Sequence, residues 1–367
     1  MTRALPLTRT STAAPSRAPQ HGRLQAWRRR AVRWLIGRLL PPTGNEVTAG
    51  ALPPSGIQRV LVCRPNHRLG NTVLMTPLMA ELERLYPGAE VDVLGAGAAP
   101  RGVYGGYAAL GDLFLLAPKA VRHPIATVAT IRALRRKRYD LVIDAAAGSS
   151  SGKLLASLAT ARFRLGVDTA GDTLPLHLAA RPVHALRWAA GRDMARPMPR
   201  LDLRLSDTER CTGRATLERV LAAAPGGDAP VLAIFPNATG AKRYDEAWWT
   251  TFLAELTSHT GPLRIVELVA ADGRSRVNDR YPTYFTSDLR KLSAFIEAAG
   301  MYISADCGVM HLAGATQALT LGLFGTTDAR RYAPYGGMNL AIRSEDGNAA
   351  GAALRAAEAI GRWRAMR

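Results

Sequence analysis

The segment that decides the fold runs from Tyr302 to Ala315 and reads YISADCGVMHLAGA. Its first residues are apolar enough for a buried strand. Asp306 and Gly308 then form a turn, and small residues permit close backbone approach where a helix begins. Unpaired N–H groups at such a helix start suit a phosphate. The segment therefore predicts a strand-turn-helix unit whose turn is either a phosphate site or a simple capped helix start.

Short apolar runs alternate with helical segments on both sides of this unit, which is typical of doubly wound α/β domains. The first block has predicted strands at Arg59–Cys63, Val91–Leu94, Leu113–Leu116 and Leu141–Ile143. The second block has them at Val231–Phe235, Leu263–Val269, Tyr302–Ser304, Thr320–Phe324 and Asn339–Ile342. Two such halves leave a cleft between them, and ligands of open parallel sheets bind outside the carboxyl ends of the strands.

A chain of 367 residues exceeds the usual size of one hydrophobic core, so two domains are expected. They are predicted at residues 56–205 and 231–345, joined by a linker at 206–230 that contains a short helix. A further helix is predicted at 346–367. Residues 1–22 have the composition of a disordered tail, and residues 23–45 are predicted to form a basic amphipathic helix and a linker.

The composition favours a reducing compartment and anionic partners. Three widely spaced cysteines, Cys63, Cys211 and Cys307, suit neither a disulfide framework nor a metal site. No apolar stretch has the length of a membrane span, and no secretory signal is evident. The net charge of +19 favours phosphates, lipid headgroups or nucleic acid, although a GC-rich genome, which encodes arginine where others encode lysine, would also give this arginine-rich composition. The helix at 24–40 suits an anionic membrane surface, packing on its own protein, or organelle targeting.

Two further loops follow predicted strands. After Phe235 the chain reads PNATGAKRY, which places Thr239, Gly240 and Lys242 where a diphosphate would meet a strand end, unless the loop is only a solvated basic turn. It lacks the glycine spacing of a Walker A loop. After Cys63 the chain reads RPNHRLGNTVLMTP, in which Gly70 lets the backbone pass close to a ligand or simply connects strand to helix.

Together these segments resemble glycosyltransferase family 9, which includes the ADP-heptose:lipopolysaccharide heptosyltransferases. The most specific part is Asp306–Ala313, similar to the family block Asp-Thr-Gly-x-x-His-x-x-Ala, with Cys307 in place of threonine. The resemblance implies a GT-B fold of two Rossmann-like domains around a cleft, inverting transfer, and no cofactor or metal. It implies a nucleotide-sugar on residues 231–345 and an acceptor on residues 56–205.

The resemblance also assigns roles to individual residues. The donor-binding residues would be Thr239, Gly240, Lys242, Asp306, Cys307, Gly308 and His311, and the acceptor-side loop would contribute Arg64, Arg68 and Gly70. The family's first loop commonly reads Gly-Asp-x-x-x-x-Thr-Pro, with the aspartate as general base. Here Asn71 stands at that position, and an amide is not a useful proton acceptor. His67, in the same loop, is the predicted substitute because histidine accepts a proton near neutral pH. Asp272 is a weak substitute for the family's ribose-binding glutamate.

The resulting hypothesis is a cytoplasmic enzyme, peripheral at the inner face of the cytoplasmic membrane. It would transfer a sugar, heptose among the candidates, to lipopolysaccharide or another lipid-linked envelope glycan. The alternatives are a catalytically impaired nucleotide-sugar or glycan-binding scaffold, motivated by Asn71, and a sugar-nucleotide epimerase of similar architecture. Nucleic-acid binding has only the charge in its favour, and no recognised binding module accompanies it, so no nucleic-acid partner is expected.

Overall fold

The computed structural model describes residues 46–117, 123–146, 150–169, 174–225, 227–344 and 347–366. The tail predicted at 1–22 and the helix and linker predicted at 23–45 lie outside the described residues. Within the described ranges, no helix has the length and apolar character that a membrane span requires.

The first half of the chain forms a five-stranded parallel sheet in the order β3-β2-β1-β4-β5. Its strands are β1 (Arg59–Cys63), β2 (Glu90–Ala96), β3 (Leu110–Leu116), β4 (Arg138–Asp144) and β5 (Thr160–Gly166). Its helices are α1 (Leu69–Val73), α2 (Thr76–Leu85), α3 (Ala99–Tyr104), α4 (Pro124–Arg136), α5 (Ser150–Ser157) and α6 (Ala180–Ala190). The central strand β1 is buried on both faces from its second residue onward, as a sheet covered by helices on both sides requires.

The second half forms a six-stranded parallel sheet in the order β11-β10-β9-β6-β7-β8. Its strands are β6 (Val231–Phe235), β7 (Arg264–Leu268), β8 (Thr283–Tyr284), β9 (Met301–Ala305), β10 (Leu319–Phe324) and β11 (Leu340–Arg343). Helix α7 (Asp207–Leu221) precedes the sheet, and the rest are α8 (Glu246–Thr260), α9 (Leu289–Ala299), α10 (Gly308–Gly314), α11 (Ala329–Tyr332) and α12 (Ala349–Ala365). Short 3-10 turns occur at Val167–Thr169 and Gly240–Lys242.

These two parallel sheets confirm the predicted α/β class and the two Rossmann-like halves. All nine predicted strands are present, with ends that differ by up to three residues. Strands β5 and β8 were not predicted. The β5 sequence, TARFRLG, interrupts its apolar residues with two arginines, and β8 has only two residues, too few for a periodic signal. The strands of the first sheet fall inside the predicted range 56–205 and those of the second inside 231–345. The domain boundaries themselves stay a prediction.

Helix α7 begins in the predicted linker, where Ser206 and Glu209 form a reciprocal capping box. The two halves meet beside it through Arg290 of α9. This guanidinium donates to the carbonyl oxygens of Leu203 and Arg204 at 3.0 Å each and pairs with Glu209 at 2.5 Å. The cation therefore ties α9 of the second half to the end of the first half and to the start of the linker helix.

Each sheet changes its direction of strand addition once, and that point marks a crevice. In the first sheet β2 and β3 lie on one side of β1, and β4 and β5 on the other. In the second sheet β7 and β8 lie on one side of β6, and β9 to β11 on the other. Ligands of open α/β sheets bind at such switch points, at the carboxyl ends of the strands. The loops after β1, β4, β6 and β9 are therefore the candidates for a site.

Candidate functional site

An ion pair occupies the switch point of the second sheet. The loop after β6 ends in the turn Gly240–Lys242, and β9 ends directly before Asp306. Lys242 Nζ lies 2.5 Å from Asp306 Oδ2. The Asp306 side chain is 7% exposed and that of Lys242 is 36% exposed, so the cation is the partner that solvent or a ligand can reach. The two predicted donor-side segments are thus brought together, although 64 positions separate these residues in the chain.

The turn that carries Lys242 depends on glycine. Gly240 has φ +63°, a left-handed conformation that residues with a side chain rarely adopt. Thr239 precedes it in an extended conformation and makes no capping hydrogen bond with its side chain. Both residues are exposed. The predicted loop therefore presents its backbone and the Thr239 hydroxyl to the open edge of the sheet.

The first residue of the predicted helix start is Cys307. It stands at the N-cap of α10 in an extended conformation, without a side-chain capping hydrogen bond. Its Sγ lies 3.7 Å from Ser304 Oγ, and burial raises the pKa of the thiol. The thiol is therefore protonated at neutral pH and is not an activated nucleophile.

His311 lies buried on α10, 4% exposed, behind Asp306. Its Nε2 is 3.9 Å from Asp306 Oδ1, too far for a hydrogen bond, and among the described residues its Nδ1 has no hydrogen-bond partner. Burial lowers the pKa of His311 to about 4, and the neighbouring Asp306 carboxylate only partly opposes this. The imidazole is neutral at pH 7 and can donate one hydrogen bond and accept another.

This depressed pKa predicts a pH-dependent stability. The unfolded chain binds a proton at His311 below about pH 6.5, whereas the folded chain resists it down to about pH 4, so stability is lost as pH falls through this window. We expect wild type to lose about 2 kcal/mol more between pH 7 and pH 5 than His311→Gln, which does not titrate. Urea unfolding of both proteins at the two pH values checks this. Equal losses of stability in the two proteins would show that a group other than His311 binds the proton.

The loop after β1 lies directly against the start of α10. A Cβ atom built on Gly70 would fall 2.6 Å from His311 Cδ2, and one built on Gly308 would fall 3.0 Å from Leu69 Cβ. Two glycines therefore let the first half and the second half approach at backbone distance. The structure brings four predicted residues to one place: Gly70, Gly308 and His311 at this contact, and Asp306 beside it.

We expect Gly70→Ala to weaken this contact. A methyl group in contact with the buried His311 ring costs about 1–3 kcal/mol, which corresponds to a loss of roughly tenfold or more in kcat/KM if the contact forms during turnover. The matched control is Gly361→Ala, because a Cβ at Gly361 meets nothing within 4 Å. Steady-state kinetics and thermal unfolding of both variants test the expectation. Wild-type kinetics for Gly70→Ala would contradict it.

The other predicted acceptor-side residues differ in exposure. Arg64 is 8% exposed, its guanidinium donates to the carbonyl oxygen of Ala145, and burial lowers its pKa. His67 and Arg68 are exposed, and Asn71 is half-buried on α1. The backbone N–H of Arg68 donates to Asn66 Oδ1 at 2.8 Å. The loop therefore buries the Arg64 guanidinium and leaves the Arg68 guanidinium and the His67 imidazole open to solvent.

Asp144 is a candidate that the sequence analysis missed. It ends β4 and pairs in register with Cys63 at the end of β1, so it lies at the switch point of the first sheet. Its Oδ1 accepts the N–H of Ala146 at 3.0 Å, and burial raises the pKa of the carboxyl. The signal was present in the sequence, because a carboxylate directly follows the predicted strand Leu141–Ile143 on the edge that faces the cleft.

A second missed carboxylate is Glu267, which is fully buried in β7. It accepts a hydrogen bond from Ser275 Oγ at 2.6 Å and another from the N–H of Arg276 at 2.7 Å, and burial raises its pKa. Asp272, the predicted ribose partner, pairs with the Arg276 side chain at 2.5 Å on the surface. Glu267 therefore anchors the loop after β7, and the ribose role of Asp272 stays a prediction.

In the described part of the chain, no group of three or more His, Cys, Asp or Glu residues could hold a metal ion.

Comparison with known proteins adds a family match. Residues 127–355 match the family model described as glycosyltransferase family 9 (heptosyltransferase). Comparison with curated proteins found no significant match.

Several solved structures share the fold. E. coli heptosyltransferase WaaC with ADP is 19% identical, with a TM-score of 0.64 over 84% of this chain and 99% of that one. A glycosyl transferase family 9 protein from Veillonella parvula DSM 2008 is 16% identical, with a TM-score of 0.64 over 81% and 89% of the two chains. E. coli ADP-heptose lps heptosyltransferase II is 17% identical, with a TM-score of 0.58 over 78% and 90%. At these identities the likeness establishes the fold, two parallel α/β halves of GT-B type.

Proposed function

Because the chain belongs to glycosyltransferase family 9, we propose that it transfers a sugar, with inversion, from a nucleoside diphosphate-sugar to a cell-envelope glycan. The observation that carries the proposal is the Lys242–Asp306 pair at the switch point of the second sheet, beside the contact between Gly70 and His311. A partly exposed cation there lies next to the place where the acceptor-side loop reaches the second half.

In the proposed donor complex, Lys242 contacts a diphosphate oxygen. Thr239 and Gly240 supply a hydroxyl and an N–H from the same turn, and Gly308 supplies an N–H from the start of α10. Asp306 accepts a hydrogen bond from a sugar or ribose hydroxyl, and the neutral His311 donates one. These fixed dipoles and one cation stabilise the charge of the departing diphosphate, so no metal or cofactor is needed for this role.

The acceptor hydroxyl needs a base on the first half. The sequence points to His67, with Asn71 orienting the hydroxyl. We favour Asp144, because a carboxylate with a raised pKa at the switch point of the first sheet accepts a proton more readily than an ordinary aspartate. His67 lies exposed on the neighbouring loop. In either case the base takes the proton while the oxygen attacks the anomeric carbon and the diphosphate leaves.

The proposed acceptor is lipid-linked, lipopolysaccharide or another envelope glycan, which places the enzyme at the inner face of the cytoplasmic membrane. The net charge of +19 favours peripheral association with an anionic membrane. No nucleic-acid partner is proposed. The amphipathic helix predicted at 23–45 is one proposed membrane contact.

Release of nucleoside diphosphate tests the proposal. The full chain is incubated with nucleotide-sugars and a lipid-glycan extract, starting with ADP-heptose because the WaaC structure holds ADP. We expect diphosphate release that depends on both donor and acceptor. Binding without turnover would favour the scaffold. Inversion of the configuration at one carbon of the donor sugar, in the absence of an acceptor, would favour the epimerase.

A further inference from the structure

The outer face of α4 carries two apolar side chains that no part of the described chain covers. Ile125 is 86% exposed and Val128 is 46% exposed. The opposite side of the same helix is packed, because Leu134 is fully buried. A helix of a globular protein usually turns its apolar face inward, so exposed Ile and Val on its outer side indicate a binding surface.

The same outer face carries three arginines. At about 3.6 residues per turn, Arg132 and Arg136 follow Ile125 along one stripe, and Arg135 lies next to Val128. All three are exposed, and among the described residues no carboxylate pairs with them. Lys137, in contrast, is already bound by Asp92 and Asp112 at 2.8 and 2.7 Å.

The sequence around α4 is strongly basic. No acidic residue occurs between Asp112 and Asp140, whereas this stretch contains seven basic ones. They are Lys119, Arg122, Arg132, Arg135, Arg136, Lys137 and Arg138. With Arg132, Arg135 and Arg136 exposed on one face, the outer side of α4 favours an anionic partner.

A groove of about 330 Å³ lies between the ends of β2 and β3 and the first turns of α4. Its lining is mainly apolar and includes Leu116, Ala126, Thr130 and Arg101. It also includes Gly97, which follows β2, and a Cβ built there would lie 3.9 Å from His67 Cβ. The groove and the first turns of α4, with Ile125 and Val128, thus lie beside the loop that carries His67, at the carboxyl edge of the first sheet. The arginines extend from there toward the other end of the helix, which leads into the start of β4.

We propose that the outer face of α4 docks the protein on an anionic membrane, with Ile125 and Val128 entering the headgroup boundary and the three arginines binding lipid phosphates. Exposed apolar side chains combined with arginines on one helix face are the pattern of an interfacial helix, and a purely electrostatic partner would not need the apolar ones. The proposal rests on the proposed function only in taking the acceptor to be lipid-linked.

The test is co-sedimentation of the full chain with vesicles of phosphatidylcholine mixed with phosphatidylglycerol. We expect Arg132→Gln/Arg135→Gln/Arg136→Gln to lower binding at least about tenfold and to flatten its salt dependence. Ile125→Ser/Val128→Ser should lower binding about tenfold and leave the salt dependence unchanged. Residues 1–45 are present in every variant, so their contribution is constant. Circular dichroism and thermal unfolding confirm that each variant is folded.

A matched control removes the same charge elsewhere. Arg214, Arg219 and Arg362 are exposed on α7 and α12, and changing them to glutamine should leave vesicle binding nearly unchanged. Equal loss in the control would reduce the effect to net charge and overturn the proposal. Loss of vesicle binding in the arginine variant alone would also overturn the proposal, because it would indicate a general polyanion surface. Unchanged vesicle binding in both α4 variants would overturn it as well. Vesicle binding needs no substrate, so a chain that binds vesicles but releases no diphosphate would overturn the proposed function alone.

Discussion

Replacing Lys242 by alanine is expected to lower kcat/KM for the nucleotide-sugar by roughly 10²- to 10³-fold. The Lys242 ammonium is the partly exposed member of the pair with Asp306, so it can move from the carboxylate to a phosphate oxygen. Its loss removes the positive charge that faces the departing diphosphate in the proposed donor complex. Steady-state release of diphosphate by wild type and variant measures the effect.

Two further variants make the Lys242 result interpretable. Lys242→Arg keeps the charge and should retain part of the activity, because a guanidinium also binds phosphate. Lys291→Ala removes an exposed lysine of α9 and should behave as wild type. Lys242→Ala should also lower the midpoint of thermal unfolding, because it leaves the Asp306 carboxylate, which is 7% exposed, without its cation, so the kinetics are compared at a temperature where both proteins are folded. Unchanged kcat/KM in a folded Lys242→Ala protein would exclude the phosphate role.

The sequence predicted which segments surround the donor site because each follows an apolar run that ends in a turn. Asp306 and Lys242 lie in different segments of the second block, and parallel strands bring their carboxyl ends to one edge. The contact of Gly70 with His311 could not be predicted in this way. It joins the two halves, and their relative placement depends on packing between distant elements rather than on any local pattern.

The same limit explains what was missed at the first sheet. The predicted strand ends at Ile143, one residue before Asp144, whereas β4 includes Asp144. The apolar pattern ends there because the residue is polar, while the ladder with β1 continues through it. Only the strand order places Asp144 beside Cys63 and hence at the switch point. The exposed apolar face of α4 could not be predicted for a related reason. Hydrophobic periodicity does not show which side of a helix the rest of the protein covers.

Asp144→Asn is expected to lower kcat by roughly 10²- to 10⁴-fold while nucleotide binding stays unchanged. The amide keeps the shape of the carboxyl group and its hydrogen bond from Ala146, but it cannot take the proton of the acceptor hydroxyl. Because burial raises the pKa of Asp144, wild-type activity should fall on the acid side at a pH above the ordinary range of an aspartate. The variant should lack this acid limb. Turnover and its pH profile at saturating donor measure both effects.

Two comparison variants decide between the bases. Asp168→Asn removes an exposed carboxylate just after the neighbouring strand β5 and should retain full turnover near neutral pH. Its acid limb should move to lower pH, because the Asp168 charge contributes to the raised pKa of Asp144. His67→Ala should lower kcat far less than Asp144→Asn, since its ring lies exposed on the loop. The opposite ranking, with the acid limb lost in His67→Ala and kept in Asp144→Asn, would return the base role to the histidine. In that case Asp144 would serve the fold, through its bond to Ala146, and the loop that carries Asn71 would supply both the orienting amide and the proton acceptor.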